Sequence, residues 1–139
     1  MARFSRYCLD SNAVSDVLRG RGNVKQKMEE NINLGNFVAM CSIVYYEVER
    51  GLKSIGATRK LSEFYNLYSR LNRLYFDREN IDAVAKSADI YVKLHRGQQI
   101  EDNDIYIAAI AMVNDCTLIT SNTAHFERVE GLKIANWRN

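Results

Sequence analysis

Short apolar runs alternate along this chain with longer segments of helical periodicity. Arg6 to Asp10 is the first such run, and it ends abruptly at Asp10-Ser11-Asn12. The pattern predicts a strand handing over to a helix capped by Ser11 or Asn12. Ala13, Val14, Val17 and Leu18 keep helical spacing until Gly20 and Gly22 stop it. Residues 23–33 predict a second helix with a wide polar face. Phe37 to Cys41 predicts a second, fully apolar strand, with Ser42 capping a helix over 43–53. Leu61, Phe64, Tyr65, Tyr68 and Leu71 recur at three and four residues, which predicts an amphipathic helix over 58–72. Leu74-Tyr75-Phe76 predicts a brief strand, and Ile81 to His95 a long helix ending before Gly97. Glu101-Asp102-Asn103-Asp104 opens a helix over 105–114 that is apolar nearly all round and so belongs deep in the core. Residues 117–120 and 132–135 predict the last two strands.

Strands this short and apolar, alternating with helices, predict a three-layer α/β/α fold around a mostly parallel central sheet of four to five strands. A single domain over residues 1–139 is expected. Right-handed crossovers would put the loops after the strands along one edge, where such folds bind ligands. Asp10 ends the first strand, and Glu47 lies one turn into the helix after the second. Asp102 and Asp104 open the apolar helix, and Asn122 follows the fourth strand. All five are expected to converge on that edge. Like charges held close raise one another's pKa and oppose folding unless a cation compensates. Carboxylates without sulfur or imidazole at ligand spacing suit a hard cation such as Mg²⁺ or Mn²⁺. Each residue also has a plainer reading: Asp10 as a turn or cap, Glu47 as a solvated helix position, Asp102 as an N-cap. Asp104 gains from the helix dipole whatever its function, and Asn122 could cap a short segment over 123–127.

Composition narrows the class. The chain has 139 residues, 47% hydrophobic and 26% charged, with nineteen Lys and Arg against seventeen Asp and Glu. A net charge of +2 argues against a polycation that grips nucleic acid by bulk charge alone. Arg19, Arg21, Lys25 and Lys27 lie on and after the first helix, where they could track phosphates or form an ordinary solvated face. Three cysteines, odd in number and set among apolar residues, read as buried hydrophobes in a reducing cytoplasm. His95 and His125 have no partner at zinc-ligand spacing; His95 is expected at the core edge and His125 on the surface. There is no apolar run near the ~20 residues that cross a bilayer, no signal-peptide pattern at the N-terminus, and no glycine-rich phosphate loop.

Three stretches carry a family resemblance: Leu9-Asp10-Ser11-Asn12, Ser42 to Gly51 around Glu47, and Asp102-Asn103-Asp104-Ile105-Tyr106-Ile107-Ala108-Ala109. In order and spacing they resemble the acidic motifs of PIN-domain ribonucleases. Leu118 to Val129, closing with Gly131-Leu132 and Asn136-Trp137, resembles the VapC toxins of toxin–antitoxin pairs in particular. The resemblance implies that Asp10, Glu47 and Asp104 bind Mg²⁺, for which Mn²⁺ could substitute, and catalyse hydrolysis of RNA. Asn122 matches a position that is Asp in many relatives, so a water-mediated contact is expected there. Asp102 ranks below Asp104, Asn12 would orient Asp10 or its loop, and Ser121 or Thr120 would hold a water or a phosphate oxygen. Such a cluster would lower the pKa of a bound water and clamp the phosphate, leaving a 5′-phosphate and a 3′-hydroxyl.

The resemblance further implies a structured RNA target, tRNA being favoured and the anticodon loop of initiator tRNA in particular, with translation inhibited as a result. It implies a homodimer and neutralisation by a VapB-type antitoxin in a larger complex, with no membrane role. The antitoxin would occupy an apolar groove framed by Tyr45, Tyr46, Tyr65 and Tyr68, unless these are ordinary core and boundary residues. Two other readings stay open. A catalytically silent RNA- or partner-binding module would account for Asn122 in place of an acid. An Asp-dependent phosphatase would want a second Asp two residues after Asp10, where the chain has Asn12.

Overall fold

A computed structural model describes residues 4–78, 80–94 and 97–139. His95 lies outside the described residues. Five strands, β1 (Arg6–Leu9), β2 (Phe37–Cys41), β3 (Asn72–Leu74), β4 (Thr117–Ile119) and β5 (Ile134–Ala135), form one sheet in the order β3-β2-β1-β4-β5. Every pairing is parallel, with Cys8 opposite Ala39 on one side and Leu118 on the other. Between them run α1 (Ser11–Arg19), α2 (Val24–Asn33), α3 (Ser42–Ser54), α4 (Thr58–Arg70), α5 (Asp82–Lys93), α6 (Asp102–Val113) and α7 (Thr123–Phe126). A right-handed crossover rule puts α1–α4 on one face and α5 and α6 on the other. The central strands are accordingly apolar on both faces: Cys8, Leu9, Val38, Ala39, Met40, Leu118 and Ile119 are all buried. The apolar helix α6 buries Ile105, Ile107, Ala108, Ala109, Ile110 and Ala111, as its all-round pattern requires. No helix among the described residues is long and apolar enough to cross a membrane.

The strand order reverses at β1. The chain first builds outward through β2 and β3, then returns to add β4 on the other side. The crevice at the carboxyl end of β1 is therefore the topological switch point, where open α/β sheets bind ligands. Asp10 stands there.

The chain differs from the sequence expectations in several places. Asp10 itself is the N-cap of α1, its Oδ1 accepting the Ser11 N–H at 2.8 Å, so neither Ser11 nor Asn12 caps. Cys41 caps α3, and Ser42 is its first residue; the Ser42 Oγ accepts the Phe76 N–H instead. Glu101, not Asp102, precedes α6. The strand expected at 74–76 lies two residues earlier, because α4 stops at Arg70 and Leu71 is already extended. An edge strand of three residues has only Leu74 buried, so no alternation marks its register. Phe76 has left the sheet to pack on Tyr106 in α6, ring centroids 4.7 Å apart.

Candidate functional site

Asp10 is only 4% exposed, at the end of a strand with apolar residues on both sides. Its carboxylate is held by three donors. Ser11 N–H reaches Oδ1, while the Asn12 amide at 3.0 Å and the Thr120 hydroxyl at 2.9 Å reach Oδ2. Burial nevertheless pushes its pKa up from 3.8 to about 6, against those hydrogen bonds, with smaller pushes from the charges of Asp104 and Glu47. Thr120 is the hub behind it. Its hydroxyl donates to Asp10 and accepts from the Asn12 amide at 3.1 Å and the Asn122 N–H at 3.0 Å. Asn12 completes the ring by accepting the Ser121 N–H at 3.0 Å. The loop after β4 is thus stitched to the loop after β1, across the switch point.

Glu47, half-buried on α3, is bridged to both neighbouring carboxylate loops. The Ser11 hydroxyl donates to its Oε1 at 2.6 Å, and the Asn103 amide lies 3.4 Å from its Oε2. These donors are the immediate sequence neighbours of Asp10 and Asp104. Asp104, in the first turn of α6, has its pKa raised mainly by burial; the hydrogen bond from His125 opposes this, and Glu47 adds to it. Its Oδ2 lies 2.8 Å from His125 Nε2. Oδ1 accepts no hydrogen bond among the described residues.

Three of the five residues expected at the edge therefore meet in one electrostatic neighbourhood, Asp10, Glu47 and Asp104. Their oxygens share a field without closing into a cage, and no group of three His, Cys, Asp or Glu among the described residues forms a ready-made metal site. Asp102 and Asn122 are exposed, and neither side chain makes a hydrogen bond among the described residues; Asn122 joins the network only through its backbone. Ser121 likewise contributes its N–H and not its hydroxyl.

His125 corrects the expectation of a surface residue. Its side chain is 23% exposed and is turned onto Asp104, with the next residue of α7, Phe126, as a buried anchor. Sequence reasoning also missed Asn103, which stands between two acids and looks like a loop residue. Nothing in the local pattern marks either, since both act across contacts between separate elements.

Of the four cations singled out, Arg19, Arg21 and Lys25 are exposed and make no ion pair among the described residues. Lys27 is engaged, its ammonium donating to the Asn139 carbonyl. Arg19 and Lys60 stand between two adjoining cavities of about 410 and 520 Å³. The first is mainly apolar, with Leu18, Val48, Leu52 and Ile55 in its wall, and opens on Ser11 and Glu47. The tyrosines do not frame it. Tyr45 packs on Phe64 and Tyr68, and Tyr45 and Tyr65 both donate to Glu49.

The PIN domain family model matches residues 7–132. Ribonuclease VapC2 of Rickettsia felis is 30% identical over 137 residues, covering 94% of this chain and 97% of that protein. The tRNA(fMet)-specific endonuclease VapC of Salmonella typhimurium is 29% identical over 136 residues, covering 95% and 98%. Among solved structures, VapBC2 from Rickettsia felis bound to a DNA fragment from its promoter superposes with a TM-score of 0.83 at 26% identity, covering 94% of this chain and 98% of that one. With the switch-point carboxylates, the all-parallel five-stranded sheet and these likenesses together, the chain belongs to the PIN-domain family, in its VapC branch.

Proposed function

We propose that this chain is a metal-dependent endoribonuclease toxin, restrained by a VapB-type antitoxin. The observation that carries the reading is Glu47, hydrogen-bonded on both sides by the residues adjoining Asp10 and Asp104. That arrangement draws three carboxylates from distant parts of the chain toward one crevice, where burial opposes the charge of Asp10 and of Asp104. The donor set is all oxygen and triply acidic, which fits Mg²⁺ or Mn²⁺ and not zinc. When bound, such an ion supplies an acidified water and charge neutralisation at the phosphate. The chain's own residues do the rest. Ser11 and Asn103 orient Glu47, the Asn12–Thr120 pair orients Asp10, and the exposed Arg19, Arg21 and Lys25 attract the RNA backbone.

Single-stranded loops of folded RNA suit a narrow acidic crevice because their backbone can be bent into it. Transfer RNA, with its anticodon loop, is the substrate we favour, in keeping with the name of the Salmonella relative. The antitoxin segment is assigned to the apolar cavity beside Glu47, where Ile55 is 76% exposed and an inserted cation would reach the carboxylates. A homodimer would use α5, whose outer face exposes Val84, Tyr91 and Val92. The test is cleavage of initiator tRNA by the purified chain, with 5′-end mapping of the products. Cleavage that needs Mg²⁺ and vanishes in Asp10→Asn supports the reading. Full activity in excess EDTA, or in Asp10→Asn, overturns it; RNA bound by the Mg²⁺-loaded wild type yet left whole would establish the silent module instead.

A further inference from the structure

Two loops hold carboxylates at the crevice from behind, and one contact holds a carboxylate from the side. The donors on Asp10 and Glu47 are Ser11 and Asn12 beside Asp10, Asn103 beside Asp104, and Thr120 after β4. The partner of Asp104 comes from α7, a four-residue helix twenty-one positions away. Its anchor is Phe126, 1% exposed, against which the His125 ring stands edge-on with centroids 5.5 Å apart. The backbone of α7 is pinned in turn by Phe126 N–H to Asn122 O, and Asn122 N–H to Thr120 Oγ1. The ring is therefore fixed in place by the same loop that holds Asp10.

We propose that His125 is a positioning residue for Asp104: its Nε2–H holds Oδ2, fixes the carboxylate rotamer, and leaves Oδ1 as the oxygen available to a cation. The inference rests on the reading of Asp104 as a cation ligand. A carboxylate can accept but not donate, so Nε2 carries the hydrogen in this contact. Without it, Asp104 would be free to turn toward solvent, away from the negative charge of Glu47, and the oxygen would have to be reoriented each time an ion bound. Hydrogen-bond partners of ligating carboxylates contribute about 10–100-fold to metal affinity by this means.

The test is Mn²⁺ binding to the full chain, followed by calorimetry and by the paramagnetic resonance of free Mn²⁺, with no RNA present. His125→Ala and His125→Asn should weaken binding by about 10–100-fold, since neither can place a donor at the Nε2 position. His125→Gln, whose amide reaches that position, should stay within about threefold of the wild type. Melting of each variant in EDTA establishes that it is folded; His125→Asn keeps a polar side chain in case the alanine variant is not. Wild-type affinity in His125→Asn overturns the proposal. Equal loss in His125→Gln and His125→Asn also overturns it, because the ring nitrogen would then be a ligand itself. A folded wild type that binds no Mn²⁺ overturns the metal reading and this inference with it.

Discussion

Asp10→Asn separates the stability of this protein from its chemistry. The Asp10 carboxyl is buried, and its pKa rises from 3.8 to about 6 on folding. Between those values the folded state holds a proton that the unfolded chain has released, so stability falls as pH rises through this window. Each tenfold change in proton affinity is worth about 1.4 kcal/mol, so the destabilisation is about 3 kcal/mol, absent below pH 4 and complete above pH 7. Asp104 shifts in the same direction and adds to the slope. Glu29 and Glu49 shift the other way, but both are solvent-screened partners of surface cations or tyrosines and subtract little. Urea denaturation in EDTA, at intervals from pH 4.5 to 7.5, measures the sum. The wild type should lose stability across the range, and Asp10→Asn should lose about 2 kcal/mol less between pH 4.5 and 7.5. The substitution is not free at low pH, because an amide in place of Oδ2 faces the Asn12 amide and costs about 1–3 kcal/mol. The two curves should therefore cross. Parallel curves would refute the claim that burial of the Asp10 charge opposes folding.

Four further outcomes are expected. Arg138→Ala strips the bidentate guanidinium from Asp16, which is 3% exposed and 2.7 Å away, and should cost about 3 kcal/mol in urea denaturation. Ser11→Ala should reduce kcat for RNA cleavage about tenfold by freeing Glu47, while Ser11→Thr, which keeps the hydroxyl, should be near wild type. Thr120→Val leaves the Asn12 amide, the Asn122 N–H and Asp10 short of one partner and should cost about 1–3 kcal/mol by thermal melting. Val92→Asp, at a position 79% exposed on α5, should leave the chain folded but give a monomer in sedimentation velocity if α5 is the self-contact, with a melting temperature that no longer depends on protein concentration.

The architecture was legible because burial dictates it. Strands covered on both faces must be continuous apolar runs, and β1, β2 and β4 read so; α6 could only be a core helix. The carboxylates were legible because strand ends fix where Asp10 and the loop after β4 must lie, and right-handed connection fixes the shared edge. What failed to show in the sequence depends on contacts between distant segments. Asp16 looks like a solvated helix residue until Arg138, 122 positions later, comes to neutralise it. His125 looks like surface until α7 brings its ring within 2.8 Å of Asp104, twenty-one positions earlier. The tyrosines read either as core and boundary residues or as the frame of a groove; Tyr45 packs on Phe64 and Tyr68 and joins Tyr65 on Glu49, while the cavity opens beside Glu47, on the other flank of α3.

The near-neutral charge of the chain now divides into two parts with opposite consequences. Asp10, Glu47 and Asp104 concentrate negative charge around the buried Asp10 carboxyl, and the hydrogen bonds from Ser11, Asn12 and Thr120 offset only part of the cost there, since Asp10 still rises to about 6. Full compensation by fixed cations would have made the site more stable and closed it to an ion. Partial compensation leaves a deficit of a few kcal/mol, which a bound divalent ion can make up. Stability and ion binding are then linked: at an ion concentration 100 times its Kd, the folded state gains about 2.7 kcal/mol, close to the deficit that burial of Asp10 creates. Meanwhile Arg19, Arg21 and Lys25 are exposed and make no ion pair among the described residues, and Arg19 lines the cavity that opens on Ser11 and Glu47. On the proposed function, salt-sensitive capture of an RNA backbone by these cations and ion-dependent holding at the carboxylates would be separable steps. Raising salt should weaken the first and leave Mn²⁺ affinity less affected, because the buried Asp10 carboxylate is shielded from screening that acts on exposed side chains.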